Sequence, residues 1–272
     1  MFKVISGTPN KKWFPVNMVS SASTLYVGQL TQFPIADNGL APLAAATGAA
    51  DTSGKQVIHS VVTGTNDLSP TFDATYGQYI TAVDTLALQG ARKQFGAEGM
   101  FVKGDPQALV EVDLITAETE IQANVGGSAT VKTTAPTLLT VTTGSATGAG
   151  FTSNATQFTP VAQLCTVYCR TGANAGIYRI SLGTSTTVFT FTTLWPKAIA
   201  VGDTFVAVPY RLGMCYANIN TTSGALGLWL NGTALDATNS FIINVLKMDL
   251  SEAGKETINF RFHSVHFDLT RA

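Results

Sequence analysis

Four acidic residues lie close together in the sequence and could form the carboxylate pair of a glycoside hydrolase: Glu111, Asp113, Glu118 and Glu120. Two carboxylates hydrolyse a glycosidic bond only when the fold holds them at a fixed separation. No sequence feature sets that separation here. Acidic side chains on a solvated strand edge, where they discourage unwanted strand pairing, account for the same pattern. A structural role is therefore expected, with a hydrolase as the alternative.

The three cysteines could supply thiolate ligands to a metal ion. Cys165 and Cys169 are four residues apart on a predicted strand, so their side chains share one face. Cys215 is a candidate neighbour, but the chain has no CxxC pair. Burial as small side chains accounts for all three, and an odd number of cysteines argues against a disulfide framework and is typical of a reducing compartment.

The histidines and one glycine-containing segment also fail to form a recognisable site. His263 and His266 are three residues apart on a predicted strand and would face opposite sides, and His59 is isolated. Residues 48–55 resemble a phosphate-binding loop, but the glycine spacing is one residue too long and Gln56 stands where Ser or Thr would hold magnesium. GxSxG and HExxH motifs are absent from the sequence. We therefore predict a protein that is not an enzyme, with no catalytic residue, metal ion or cofactor.

The elements available to position side chains are predicted to be β-strands. Threonine accounts for 39 residues and glycine for 25, a composition of strands and turns. Short β-branched segments predict strands at 25–30, 57–62, 108–115, 120–125, 165–170, 177–180, 188–192, 205–208, 258–263 and 265–269. Residues 171–176 predict the turn of a hairpin, because Gly and Asn tolerate positive φ. Only residues 81–94 could hold a short helix.

The pattern predicts an all-β fold: a β-barrel or sandwich domain with an inserted, smaller β-barrel-like unit. The N-terminal domain is expected to span residues 1–125 and to include a long Ala/Gly/Pro-rich surface loop at 38–54. The inserted unit is expected at 126–212, entered after a Gly-Gly-Ser break through 133–169, an uncharged stretch interpreted as a linker. Residues 213–272 are expected to supply strands that return to the first sheet.

The charge content limits the partners of the chain. Only 12% of residues are charged, against about 25% in a typical soluble domain, so we expect neighbouring molecules to cover much of the surface. The net charge of −1 gives no electrostatic reason for direct nucleic-acid binding. The longest apolar runs, 224–230 and 241–246, are too short to span a membrane, and residues 1–10 lack the apolar stretch of a secretory signal. We expect the chain to be made and used without export.

Several segments resemble the decoration, or cement, and other minor head proteins of tailed bacteriophages. They are YVGQL at 26–30, AAATGAADT at 44–52, VVTGTN at 61–66 and the hairpin residues 172–180. The resemblance implies a virion protein on the capsid surface, assembled in the host cytoplasm, that clamps neighbouring subunits of the major capsid protein from outside. It also implies a symmetric homo-oligomer, a dimer or a trimer, without catalysis. Weak contacts add through multivalency when the partner is a lattice.

The candidate contact surface with the shell or with sister subunits consists of two uncharged stretches, 133–169 and 212–235, since interface cores are depleted of charge. On a strand, Gly224, Leu226 and Leu228 would share one face. With the adjoining Trp229, they are the candidate assembly contacts.

Two other functions remain alternatives. A phage tail, baseplate or fibre-associated protein is also rich in Thr, Gly and strands, and its location in the particle distinguishes it. A carbohydrate- or receptor-binding module would present aromatic side chains on one face, and Trp13, Trp195 and Trp229 are the candidates, although each could equally belong to the core.

Overall fold

The computed structural model describes residues 2–6, 11–15, 25–32, 40–43, 58–65, 71–73, 77–80, 109–126, 136–155, 164–183, 187–220, 227–229 and 241–267. Within these ranges the chain forms strands arranged in several sheets, one of which closes into a barrel. The one helix found in the described ranges is a short 3-10 helix, Ser264–Phe267. The prediction of an all-β fold is therefore confirmed.

In chain order, the described strands are β1 (Phe2–Ser6), β2 (Lys11–Pro15), β3 (Leu25–Tyr26), β4 (Leu30–Gln32), β5 (Ala41–Pro42), β6 (Ile58–Thr65), β7 (Thr71–Asp73), β8 (Gly77–Ile80), β9 (Leu109–Leu114), β10 (Glu120–Gly126), β11 (Leu139–Thr143), β12 (Gly150–Ser153), β13 (Leu164–Thr171), β14 (Tyr178–Gly183), β15 (Val188–Phe191), β16 (Thr204–Val208), β17 (Gly213–Ala217), β18 (Ile219–Asn220), β19 (Gly227–Trp229), β20 (Phe241–Asp249) and β21 (Thr257–Phe262).

A seven-stranded sheet forms the centre of the molecule. Its order is β17-β20-β21-β10-β19-β18, with β1 also paired to β10. Side chains of β21 alternate, so that Ile258, Phe260 and Phe262 are buried. They pack into one apolar cluster with Leu30 of β4 and Val61 of β6, which belong to the five-stranded sheet β2-β9-β6-β4-β5. The two sheets therefore share a core, and each large apolar side chain buried in it contributes about 1.5–3 kcal/mol.

The five-stranded sheet is covered on its other face as well. Val61 and Val62 of β6 point in opposite directions because successive side chains of a strand alternate. Val61 belongs to the central cluster, whereas Val62 joins a second cluster that contains Val110 and Val112 of β9. The third sheet, β3-β8-β7, contributes Leu25 of β3 to this second cluster.

The six strands from β11 to β16 form a closed barrel in the order β11-β12-β15-β14-β13-β16, with β16 pairing back to β11. Its interior is filled by aromatic rings rather than by a cavity. The ring of Phe151 stacks on Phe189 and on Phe205, with centroids 5.0 and 4.5 Å apart. Trp195 meets Phe205 edge to face at 5.3 Å. Such aromatic pairs add to the stability that burial alone provides.

The strands after the barrel pair with strands that precede it. β21 pairs with β10, and β20 pairs with β21, so the chain leaves the central sheet after β10, builds the barrel and then returns. The expected domain bounds stay predictions. Independent folding of 126–212 stays a prediction.

Several expected strands are confirmed. The segments at 57–62, 108–115, 120–125, 165–170, 177–180, 188–192, 205–208 and 258–263 correspond to β6, β9, β10, β13, β14, β15, β16 and β21. The hairpin turn at 171–176 is also present, and Gly172 and Gly176 within it have φ of 105° and 86°. The expected helix at 81–94 lies outside the described residues.

Four expectations about local structure are wrong. The segment 25–30 is not one strand, because Gly28, with φ of 84°, turns the chain between β3 and β4. The segment 265–269 contains the end of the 3-10 helix instead of a strand, since the chain turns after β21. The supposed linker 133–169 carries β11, β12 and part of β13 as barrel wall. The loop 38–54 begins with β5, whose flanking Leu40 and Leu43 are buried.

Candidate binding cleft

The acidic residues singled out in the sequence lie opposite residues of neighbouring strands or accept hydrogen bonds from other segments of the chain. Asp113 lies opposite Lys11 on the neighbouring strand. The carboxylates of the other three accept hydrogen bonds. Glu111 accepts from Lys11 Nζ (3.2 Å) and Thr63 Oγ1 (2.9 Å), and Glu118 accepts from Arg261 Nη1 (3.1 Å). Glu120 accepts from Ser6 Oγ (3.2 Å) and Asn259 Nδ2 (3.0 Å). These contacts tie strands together.

The explanation of the same acids as edge residues is wrong. Strand β9 lies between β2 and β6, and β10 is bordered by β21 on one side and β1 on the other. Both are interior strands. The hydrogen bonds of Glu111 and Glu120 to side chains of neighbouring strands contribute to strand pairing, whereas Asp113 Oδ1 is buried without a hydrogen-bond partner among the described residues.

Cys165 and Cys169 are buried, Cys215 is partly buried, and burial favours the protonated form of all three thiols. Cys165 and Cys169 share a face, as expected, and both lie in the barrel core. Burial raises the pKa of each thiol to about 12. Cys215 packs against the central cluster instead, so the expectation that it neighbours the other two is wrong. None of the three is in a disulfide, and a protonated thiol is neither a nucleophile nor a metal ligand.

The histidines have structural roles. His266 Nε2 accepts the backbone N–H of Ile242 at 2.9 Å, and its ring packs against Phe241 and Phe262. Burial is the main reason why the pKa of His266 falls to about 4, and burial also lowers the pKa of His59. Both rings are neutral at pH 7. No group of three or more His, Cys, Asp or Glu side chains that could hold a metal ion occurs within the described ranges.

Buried polar contacts fix the barrel against the central sheet. Arg170, near the end of β13, forms an ion pair with Glu256 in the turn before β21 and donates two hydrogen bonds, each 3.1 Å, to the carbonyl of Leu250. The N–H of Leu250 donates to the hydroxyl of Tyr178 at 3.3 Å. Thr166 Oγ1 donates to the carbonyl of Tyr210 at 2.6 Å. Strands β13 and β14 therefore contact the sheet directly.

An open cleft of about 750 Å³ remains beside this contact, between the outer face of β13 and β14, the segment Arg211–Leu212 and the end of β20. We call it the cationic cleft. Its apolar lining includes side chains that are unusually exposed: Leu164 (40%), Ile180 (38%), Leu212 (65%) and Leu246 (39%). Its charged lining consists of Arg179, Arg211 and Lys247. Exposed apolar side chains grouped in this way mark interaction surfaces.

The cleft exists because the outer face of β13 and β14 carries exposed apolar side chains. Cys165 and Val167 of β13 point into the barrel core, so the alternate residues Leu164 and Thr166 point outwards. Leu164 and Thr166 lie opposite Leu182 and Ile180 of β14 in the antiparallel register. The central sheet covers one end of this outer face, where Tyr168 and Tyr178 are in contact with centroids 4.5 Å apart. The remainder forms a wall of the cleft.

The charges in the cationic cleft have one sign. Arg179 donates to the carbonyls of Tyr178 and Leu194, and its guanidinium lies 5.7 Å from the ring centroid of Trp195. Arg211 and Lys247 make no salt bridge within the described part of the chain. No carboxylate is among the described residues that line the cleft.

Asp249, the acidic residue near Lys247, has other hydrogen-bond partners. Asp249 is held by the hydroxyl and the N–H of Ser251, at 2.6 and 3.1 Å, and these hydrogen bonds are the main cause of its lowered pKa. The positive potential of the cleft is thus only partly offset by the chain itself.

Of the four candidate assembly contacts, only Leu228 has a described side chain, and it does not line this cleft. Leu228 is fully buried (0% exposed) in the central cluster, where β19 pairs with β10. Gly224, Leu226 and the side chain of Trp229 lie outside the described residues. Of the other tryptophans, Trp195 is buried in the barrel and offers no exposed ring to a sugar, and Trp13 lies on β2. The sequence signal for the cleft is the presence of apolar residues on the outward faces of β13 and β14, at Leu164, Ile180 and Leu182.

No protein family, curated protein or solved structure matches the chain. No helix in the described ranges is long and apolar enough to cross a membrane. The chemistry of the described side chains is therefore the basis for assigning a function.

Proposed function

We propose that this chain is a non-catalytic structural protein of a virus particle: a decoration, or cement, protein that binds the major capsid protein on the head of a tailed bacteriophage. The observation that carries the proposal is the cationic cleft, where exposed leucine and isoleucine side chains adjoin three cations. Its lining has no carboxylate, histidine or cysteine among the described residues. Exposed apolar side chains grouped beside cations form a surface that can bind a protein partner.

The low charge content supports an assembled state. A chain with 12% charged residues and leucines such as Leu212 at its surface gains by covering apolar area with a partner. A capsid lattice presents many equivalent sites, so modest contacts at each copy combine into stable attachment. The net charge of −1 supports a protein partner rather than the packaged genome.

The resemblance supplies the finer part of the proposal. The segment 26–30 forms the turn from β3 to β4, and 172–180 forms the β13–β14 hairpin, one arm of which lines the cationic cleft. The segment 44–52 lies outside the described residues. A cement protein of this kind acts as a symmetric dimer or trimer, and we propose the same for this chain.

The test is a cryo-electron map of particles purified from the source of the gene. We expect density for the chain on the outer surface of the head, at symmetry-related positions between capsid subunits. Density in the tail or baseplate would assign the chain to that alternative and overturn the head location. Particles that contain no copy of the chain, with mass spectrometry as the control for its presence, would contradict a role in the virion.

A further inference from the structure

We infer that the cationic cleft binds an extended segment of a partner protein that carries both apolar side chains and carboxylates. The inference rests on the proposed function, because it takes the partner to be another protein of the particle. It adds the place of contact and the chemistry that the partner must present there.

The apolar surface extends further than a small ligand would need. Leu182 lies opposite Leu164 in the barrel wall, and Met214 follows Leu212 by two residues; both are exposed although neither lines the cleft. A ligand confined to the cleft would leave these side chains in water. An extended chain presents a side chain to the same face every second residue, about 6.6 Å apart. It can therefore cover the cleft and the leucines that flank it.

The positive charges that line the cleft favour a partner that carries carboxylate groups. Arg211 and Lys247 place two positive groups along one cleft and have no salt bridge in the described ranges. Arg179 also lines the cleft, but its guanidinium is hydrogen-bonded to the carbonyls of Tyr178 and Leu194. Guanidinium groups bind carboxylates through two parallel hydrogen bonds, and an ammonium adds a further charge. A nucleic acid would neutralise the same cations, but contact between its phosphates and sugars and the leucine and isoleucine side chains would lack the favourable free energy of apolar burial. Acidic and apolar side chains on one segment satisfy both parts of the lining.

The walls of the cleft are held in place before any partner binds. The Arg170–Glu256 ion pair and the hydrogen bond from Leu250 to Tyr178 connect the barrel to the turn after β20. β13 and β14 pair with each other in the closed barrel, and β20 pairs with β21 on the other side of the cleft. A preformed site reduces the entropy lost on binding, so a short segment is sufficient to bind measurably.

The experiment uses the full chain and fluorescein-labelled peptides of about ten residues, roughly 33 Å when extended. One peptide alternates leucine with glutamate, a second replaces glutamate with lysine, and a third replaces leucine with serine. Fluorescence anisotropy at low ionic strength measures binding. We expect the Leu/Glu peptide to bind, the Leu/Lys peptide not to bind, and the Ser/Glu peptide to bind at least tenfold more weakly.

Variants locate the site. The double variant Arg211→Gln, Lys247→Gln is expected to weaken binding of the Leu/Glu peptide at least tenfold, whereas Lys255→Gln, an exposed lysine at the β20–β21 turn, is the charge control. Leu212→Ser is expected to weaken it several-fold, with Val201→Ser, an exposed residue at a barrel turn, as the apolar control. Melting curves check that each variant is folded; these side chains are exposed, so we expect unchanged midpoints.

Three results would overturn the inference: equal binding of the Leu/Lys peptide, equal binding by the cleft variants and their controls, or preferential binding of a single-stranded oligothymidine. Self-association that Leu212→Ser abolishes would also overturn it, because the occupant would then be a second copy. Particle attachment separates this inference from the proposed function. Loss of peptide binding with normal attachment refutes the cleft alone, whereas peptide binding without attachment to particles refutes the virion role alone.

Discussion

Arg170 and Glu256 form an ion pair that links the barrel to the central sheet. Their side chains are 11% and 1% exposed, and Arg170 also donates to the carbonyl of Leu250 at 3.1 Å through both Nε and Nη2. Arg170 lies on barrel strand β13 and Glu256 lies in the turn between β20 and β21, so the pair sets how the barrel meets β20. The geometry of the cationic cleft depends on that arrangement.

Removal of one partner of this pair is expected to destabilise the protein strongly. Arg170→Met leaves the Glu256 carboxylate buried without its counter-ion, which costs about 3–5 kcal/mol. Urea unfolding measures the change in the free energy of unfolding. Glu252→Gln, which breaks the exposed Glu252–Lys255 pair in the same turn, is the control and should leave the midpoint unchanged. Equal effects of the two substitutions would contradict a structural role for the buried pair.

His266 is expected to make stability depend on pH. Its pKa is lowered to about 4 in the folded chain, so the unfolded chain binds the proton more tightly. Its contribution to stability is therefore complete above the ordinary histidine pKa of about 6.5, decreases as pH falls below that value, and is lost by about pH 4.

The measurement is the difference in the free energy of unfolding between the wild type and His266→Gln across that range. Glutamine keeps an acceptor for the N–H of Ile242 but does not titrate. We expect the difference to change between pH 6.5 and 4 and to stay constant above pH 7. A pH-independent difference would show that burial of the neutral ring is not the cause.

Two glycines of the β13–β14 turn are expected to differ in their tolerance of a side chain. At Gly172, a Cβ would collide with the carboxylate of Asp203, whose Oδ2 accepts the N–H of Ala200 at 2.9 Å. At Gly176 nothing lies within 4 Å, so alanine there meets only the backbone strain of a positive φ, about 1–2 kcal/mol. Thermal unfolding should show Gly172→Ala to be the more destabilising variant. The opposite order would mean that the turn is arranged differently.

The barrel thiols are expected to be unreactive until the chain unfolds. Burial raises the pKa of Cys165 and Cys169 to about 12, so at pH 8 almost no thiolate is present and no reagent reaches it. A colorimetric disulfide reagent should label these two cysteines only after denaturant is added. Mass spectrometry of the labelled peptides identifies them. Rapid labelling of Cys165 in the native chain would contradict a closed, packed barrel.

Strands with a clear pattern were predictable from the sequence. The segments around β6, β9, β10 and β21 are rich in β-branched or aromatic residues, and in β10 and β21 buried and exposed residues alternate, because one face of each packs on a core. The hairpin of β13 and β14 was predictable from its Gly/Asn-rich turn. These signals are local, and a single sequence carries them directly.

Barrel closure was not predictable in the same way. Strands β11 and β12 consist largely of Thr, Gly and Ser, so their segment was interpreted as a linker. Their place in the fold depends on pairing β11 with β16, which is about sixty residues away in the chain. Closure satisfies hydrogen bonds that no local pattern reveals.

The proposed contact surface was not predictable from the sequence because its parts come from distant segments. The cationic cleft combines residues near 164, 180, 211 and 247, and only the folded chain places them together. Absence of charge alone does not locate it: Leu164 and Leu212 lie in the uncharged stretches and line the cleft, whereas Leu228 lies in one of these stretches but is buried in the central core. A lysine at Leu228 would therefore test folding rather than assembly.

Co-sedimentation with heads that lack this chain tests the central claim most directly. Wild-type chain is added to such heads, the heads are pelleted, and the bound fraction is measured beside that of Leu212→Ser, of Arg211→Gln, Lys247→Gln and of the controls Val201→Ser and Lys255→Gln. We expect saturable binding of the wild type and of both controls, with binding reduced at least tenfold in the two cleft variants while their melting curves are unchanged. Failure of folded wild-type chain to sediment with the heads at any concentration would contradict the account.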